Sequence, residues 1–426
     1  MSSKVLIVNT HSTLNAGDAA IVLAQIRFLR KVLKNVDISL TSRTPKLDRA
    51  VYFSEGVRVL PPIIPAPSIY RGAVQKAWGP LRDLAALGAK RESLKALDEA
   101  DLVIASGGGY FWSNRRWMPG LMFLQNILPV RLAGRKGKPI IFFPQSFGPV
   151  FAPVHRRLLQ KTLGADSILK IFAREQRSED FLHDLILDKG IQDKIEICPD
   201  MTFLLEERSP KATPPEDGRP LARPVVALTL RPWDFPEASG RADRRKLGRR
   251  YFDELELFCA HIIKKRHGSI LIYPQAKGPG SFEDDRFISR EFWARLRRTL
   301  PSADIHYFAG DGPSSLAAAE AHLARADLVL ATRLHSAILA LIRSIPALAI
   351  GYQPKTGSIM ARLGLDRYSF EIDRLKASDL TAAADGILDA PAAFREKLRP
   401  RLAAVENEVG DKLERSLAQW RGKVSA

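Results

Sequence analysis

Arg333 and His335 stand two residues apart in Thr332-Arg333-Leu334-His335-Ser336, and Lys355 closes Gly351-Tyr352-Gln353-Pro354-Lys355. Each stretch directly follows a short apolar run, Asp327-Leu328-Val329-Leu330 in the first case and Ala347-Leu348-Ala349-Ile350 in the second. Such runs read as buried parallel strands, and Ala337 to Arg343 between them reads as a helix. One strand-helix-strand repeat therefore carries Arg333, His335, Ser336 and Lys355 to neighbouring strand ends, where they should converge. The crevice beyond the carboxyl ends of an open α/β sheet is where ligands bind, and a helix starting near His335 adds its positive end there. The expected ligand is a small anion. A lone histidine reads most simply as a buried structural residue. Clustered cations repel unless an anion or an acidic group sits among them.

Other strand ends carry further polar groups. Strand Val5 to Val8 opens into a turn ending Asn15-Ala16-Gly17-Asp18, with an amphipathic helix expected from Asp18 to Leu33. Taken alone, Asp18 reads as the N-cap of that helix. Facing a cleft, it would instead polarise a hydroxyl as a general base. Leu102 to Ala105 runs into Ser106-Gly107-Gly108-Gly109, where missing β-carbons let a ligand approach the backbone or permit positive φ. The Tyr110-Phe111-Trp112 that follows reads equally as a sugar-site lining or as core. Ile140 to Phe143 enters the rigid turn Pro144-Gln145-Ser146, and Ile168 to Ala173 ends in Arg174-Glu175. Arg174 either pairs with its neighbour Glu175 or forks onto a carboxylate or phosphate.

The elements that must position these groups alternate strand and helix, which predicts an α/β chain with two Rossmann-like domains. The first is expected over residues 1–205, and a proline-rich, mixed-charge linker over 206–224. The second spans 225–390 and includes a basic loop from Arg231 to Arg250. A helix over 391–426 packs back on the first domain. Two facing domains with a crossing C-terminal helix make the architecture called GT-B.

The 426 residues suit two domains, and the charge of +18 with a pI near 10.0 calls for an anionic partner. No nucleic-acid motif accompanies that charge, so anionic substrates and a membrane surface rank ahead of nucleic acid. Cys198 and Cys259 lie far apart without a metal-ligand spacing, so neither a disulfide framework nor a metal site is expected. No signal segment and no spanning helix is read, which makes the expected location cytoplasmic. A helix Ala73 to Asp98, with Trp78 and leucines opposed to basic residues, reads first as core-packed with solvated charges; the alternative, for it and for Arg241 to Arg250, is contact with the inner face of the plasma membrane.

Taken together, the order and spacing of these motifs resemble the polysaccharide pyruvyl transferase family. The residues that carry the resemblance are Asn15-Ala16-Gly17-Asp18, Gly107-Gly108-Gly109, Pro144-Gln145-Ser146-Phe147-Gly148-Pro149, Ala173-Arg174-Glu175, Pro199-Asp200, Arg333-Leu334-His335-Ser336, Tyr352 and Lys355. The resemblance implies a GT-B-like fold and transfer of pyruvate from phosphoenolpyruvate to a sugar of a cell-surface polysaccharide or its lipid-linked precursor, forming a ketal, with phosphoenolpyruvate as co-substrate and no cofactor. It implies donor binding or catalysis for Arg174, His335 and Lys355, and a motif role for Arg333 and Asp18. His335 is the expected general acid and Asp18 the expected base, with Asn15, Gly107, Gly108, Gly109, Gln145 and Ser336 as substrate contacts. The turn Thr13-Leu14-Asn15 departs from the tighter glycine-containing turn of many relatives, and acceptor identity stays open.

Two alternatives compete. A nucleotide-sugar glycosyltransferase would share the fold, but such enzymes often bind the donor ribose through a carboxylate on the helix that here carries His335. A non-catalytic scaffold would bind an anionic glycolipid or a partner enzyme.

Overall fold

A computed structural model describes residues 2–64, 91–113, 121–205, 221–236, 238–280, 283–308, 315–352 and 354–425. The chain divides into two compact units. Met1–Thr13, Asp18–Leu204 and Glu406–Ala426 form one, and Leu14–Gly17 with Leu205–Val405 form the other. Most of the expected helix 73–98 and of the expected linker lies outside the described residues.

In the first unit, strands β1 (Ser3–Val8), β2 (Val36–Thr41), β3 (Arg58–Leu60), β4 (Leu102–Ala105), β5 (Gly108–Ser113), β6 (Ile140–Val150), β7 (Ile168–Ala173) and β8 (Ile195–Ile197) build a parallel sheet. Its order is β3-β2-β1-β4-β6-β7-β8, with β5 also paired to β6. Helices α1 (Ala16–Leu33), α2 (Pro45–Tyr52), α3 (Arg91–Glu99), α4 (Leu121–Arg135), α5 (Pro153–Leu163), α6 (Gln176–Leu185) and α7 (Lys189–Gln192) accompany it. β4 reads Leu-Val-Ile-Ala and is buried throughout, as a strand covered on both faces must be.

The second unit repeats the plan with β9 (Val225–Thr229), α8 (Arg241–Arg266), β10 (Ser269–Ile272), α9 (Arg286–Thr299), β11 (Ile305–Tyr307), α10 (Ser315–Leu323), β12 (Leu328–Ala331), α11 (Leu334–Leu341), β13 (Ala347–Gly351), α12 (Pro354–Arg362), β14 (Ser369–Glu371) and α13 (Ala377–Asp389). The order β11-β10-β9-β12-β13-β14 reverses direction between β9 and β12, as the first sheet does between β1 and β4. Ligand crevices open beyond the strand carboxyl ends at such reversals. A last helix, α14 (Pro391–Ser425), gives its later residues to the first unit. There Val409, Leu413, Leu417 and Trp420 form one buried stripe, and Lys412 Nζ donates to the Ile197 carbonyl at 2.6 Å.

Local expectations change at several places. The segment read as a basic loop from Arg231 to Arg250 is helical from Arg241 onward, because α8 begins well before its first buried residue, Tyr251. An exposed start carries no apolar period to read. Gly108 and Gly109 already belong to strand β5, which runs on to Ser113. α11 starts at Leu334, earlier than Ala337, so His335 is already helical.

Candidate functional site

In the second unit, β12 delivers Arg333 in an extended conformation, φ −99° and ψ 123°, as the cap of α11. Its guanidinium forks onto Asp285, Nε to Oδ2 at 3.0 Å and Nη2 to Oδ1 at 2.5 Å. Asp285 also accepts the Ala276 N–H at 3.0 Å and is fully buried. Burial works against the Arg333 charge, but Asp285 outweighs it and holds the guanidinium protonated. Part of the counter-charge that the cation cluster demanded is therefore this carboxylate.

Ser336 donates to Gln275 Oε1 at 2.8 Å. The Gln275 carbonyl accepts the Ala16 N–H at 3.0 Å, Lys277 N–H donates to the Leu14 carbonyl at 2.8 Å, and Asn15 forms an antiparallel bridge with Ala276. These bonds hold residues 14–17 against the loop after β10. Asn15 Oδ1 accepts the Gly17 N–H at 3.0 Å, so Asn15 caps α1, and Asp18, the third residue of that helix, does not. Gly17 lies against His335: a β-carbon there would sit 2.5 Å from the ring Nδ1.

At the end of β13, Tyr352 collects the remaining cations. Arg231, which follows β9, donates a hydrogen bond to the phenol oxygen and lies over the Tyr352 ring at 4.2 Å. Lys355 Nζ is 5.9 Å from the same ring centroid, and Trp233 packs on it at 4.7 Å. Burial alone would raise the phenol. The charges of Lys355, Arg231 and Arg333 overcome that and bring Tyr352 down to about 8.

The first unit holds a different group. Asp18 Oδ1 accepts from Tyr110 OH at 3.0 Å, and Asp18 Oδ2 lies 3.4 Å from His11 Nδ1. The His11 and Tyr110 rings lie parallel at 6.3 Å. Burial, and then the Asp18 charge, push the Tyr110 phenol well above its usual range, so it stays a donor. Gly107 packs on the Pro144 carbonyl, which a β-carbon would meet at 2.7 Å, and Gly108 takes φ +137°. These two glycines serve the packing of the chain itself, while Gly109 has only Ser146 at 4.0 Å. Gln145 on β6 is fully buried, and neither of its amide atoms has a hydrogen-bond partner among the described residues. Arg174 is enclosed: Nη1 donates to Asp200 at 2.6 Å, Nη2 to Ser146 at 2.8 Å, and Nε lies 3.5 Å from Glu175. Burial opposes its charge, but Asp200 and Glu175 outweigh it and keep Arg174 protonated.

The structure thus gathers Asn15, Arg333, His335, Ser336 and Lys355 in one unit and Asp18, Gln145 and Arg174 in the other. Over residues 15–354 the chain matches the profile of the polysaccharide pyruvyl transferases. The chain belongs to that family. It is 24% identical over 456 aligned positions to the amylovoran biosynthesis protein AmsJ of Erwinia amylovora, covering 96% of this chain and 98% of AmsJ. Solved structures with the same fold include Anabaena Alr3699/HepE in complex with UDP and glucose, with a TM-score of 0.57 and 12% identity over 98% of each chain. A putative UDP-N-acetylglucosamine 2-epimerase from Listeria monocytogenes gives 0.58 and 13% identity, over 97% of this chain and 94% of that one. These likenesses show a fold of the GT-B kind.

For this family member, sequence reading missed Asp285, Arg231 and Trp233. Asp285 lies in a polar loop with no local sign of burial. Arg231 lies two residues past β9, as Arg333 lies two past β12, and the strand-end rule that found Arg333 would have found it too. Among the described residues, no cluster of histidine, cysteine and carboxylates is arranged to hold a metal ion.

Proposed function

We propose that this transferase moves the pyruvyl group of phosphoenolpyruvate onto two hydroxyls of a sugar in a cell-surface polysaccharide or its lipid-linked precursor, forming a pyruvate ketal. The observation that carries this reading is the gathering of Arg231, Arg333 and Lys355 around Tyr352, with His335 two residues past Arg333 in the first turn of α11. A donor with a carboxylate at one end and a phosphate at the other suits such a set, since fixed cations hold both ends and fix the enol between them.

The chemistry balances as follows. His335 gives a proton to the enol methylene, which becomes the methyl group, and C2 takes on cationic character. One sugar hydroxyl adds to C2 and loses its proton, and the C2–O bond to phosphate breaks. The second hydroxyl then adds to C2, its proton leaves with phosphate, and the ketal closes. Asp18 is the base proposed for an acceptor hydroxyl, its carboxylate oriented by Tyr110 and His11. Arg174 is proposed as a positioning residue that fixes Ser146 and the strand end carrying Gln145.

Purified protein incubated with phosphoenolpyruvate and candidate lipid-linked sugars should release phosphate in step with a gain of one ketal in the product mass. Turnover of a nucleotide sugar, with none of phosphoenolpyruvate, would overturn the reading in favour of a glycosyltransferase. Helix α11, Leu-His-Ser-Ala-Ile-Leu-Ala-Leu, contains no carboxylate for a ribose, which supports the ketal-forming reading.

A further inference from the structure

A buried junction in the first unit ties together three element ends. His155, the third residue of α5, stacks on Phe123 of α4 at 4.7 Å, and its Nδ1 lies 3.3 Å from Ser113 Oγ at the end of β5. The Phe151 N–H donates to the Ser113 carbonyl at 3.2 Å, binding the end of β6 to the same point. His155, Phe123, Ser113 and Val150 are all buried. Their immediate chain neighbours are not: Trp112 is 49% exposed, Met122 48%, Phe151 50% and Val154 76%. Strand alternation explains the first pair, since Phe111 and Ser113 point inward and leave Trp112 pointing out, as Val150 does for Phe151. Trp112, Met122, Phe151 and Val154 thus each adjoin a buried residue of the junction, and Phe151 and Val154 bracket the turn into α5. Isolated exposed apolar residues are ordinary, whereas two on one turn make a contact point.

We propose that this apolar tip docks the first unit on an anionic lipid surface. Charge selects that partner. Helix α5, Pro-Val-His-Arg-Arg-Leu-Leu-Gln-Lys-Thr-Leu, has no acidic residue. Arg157 and Lys161 follow Val154 at helical spacing on the same face, both are exposed, and neither forms an ion pair among the described residues. An apolar tip backed by cations, in a chain of net charge +18, suits insertion into the acyl boundary with headgroup phosphates against the basic face. The tip also lies close to the candidate site. From the Gly108–Gln145 pair, β5 and β6 run together to Ser113–Val150, about 16 Å at the usual strand rise. Delivery of a lipid-linked acceptor along those strands rests on the function proposed above, whereas the docking itself does not.

Co-sedimentation tests it without turnover. The protein should pellet with phosphatidylcholine vesicles containing phosphatidylglycerol and stay in the supernatant with phosphatidylcholine alone. Phe151→Ser/Val154→Ser and Arg157→Glu/Lys161→Glu should each weaken binding by about tenfold, with melting temperature and turnover of a soluble acceptor unchanged. Phe287→Ser, at an exposed phenylalanine on α9, is the control and should bind as the parent does. Failure to bind anionic vesicles, equal binding by the patch variants, or patch-dependent self-association in sedimentation velocity would each overturn the proposal. Binding without any phosphoenolpyruvate turnover would keep the docking and remove only the proposed reaction.

Discussion

Position 17 has no room for a side chain, because a β-carbon on Gly17 would lie 2.5 Å from Nδ1 of His335 and 2.7 Å from its Cβ. The imidazole is thus placed by the absence of atoms at 17 as well as by its own helix. Gly17→Ala must displace the ring. It is expected to lower kcat by about tenfold or more, since small misplacements of a reacting group are costly, while the KM for phosphoenolpyruvate changes less. Steady-state kinetics with a parallel melting curve check it, and an unchanged kcat would remove His335 from the acid role.

The pair Arg333–Asp285 is buried and bidentate. Removing one partner strands the other charge, so Asp285→Ala is expected to cost about 3–5 kcal/mol of stability. Denaturant unfolding measures this directly. Arg333→Lys keeps the charge but loses the planar fork, and should raise the donor KM while destabilising less than Asp285→Ala.

Tyr352 gives a pH signature. Its phenol ionises at about 8 in the folded protein, against roughly 10 when unfolded. A depressed pKa means the folded state sheds a proton that the unfolded state keeps, so stability rises with pH between about 8 and 10 and this contribution is lost as pH falls through 8. The near-ultraviolet phenolate band should show one early transition that Tyr352→Phe removes. Above that transition a negative oxygen sits among the cations, so the KM for phosphoenolpyruvate should rise in the parent and stay flatter in Tyr352→Phe.

Gln145 separates stability from binding. Its amide is buried without partners among the described residues, a cost the folded protein bears. Gln145→Leu should therefore leave stability unchanged or raise it by about 1 kcal/mol, while the KM for the acceptor rises. A marked loss of stability would show that the amide serves the fold alone.

Arg174 illustrates why the candidate sites were only partly legible. Its place at the end of β7 follows from the apolar run Ile168 to Ala173, and from that the two alternatives, neighbour pairing or anion capture, follow directly. That Asp200 completes the cage depends on β8 packing beside β7, a tertiary fact with no local pattern. The same holds for Asp285, distant in sequence from Arg333. Alternation of strand and helix was readable because fully buried strands are continuous apolar runs. The start of α8 was not, because its exposed basic residues present no apolar face. Asp18 looked like a cap because it is an aspartate at a helix start, but the backbone places Asn15 there instead.

The composition of the first unit bears on how the protein is made. Its sheet is complete by residue 197, yet the helical segment that completes the unit, with Val409, Leu413, Leu417 and Trp420, leaves the ribosome only after the second unit. Domains tend to fold as they are synthesised. Here the earliest-made sheet must wait, with apolar surface uncovered, while the whole second unit is translated. Nascent chains stopped just before residue 406 should hold a first unit that binds chaperones and is cut readily by protease, and extension through residues 406–426 should make it resistant.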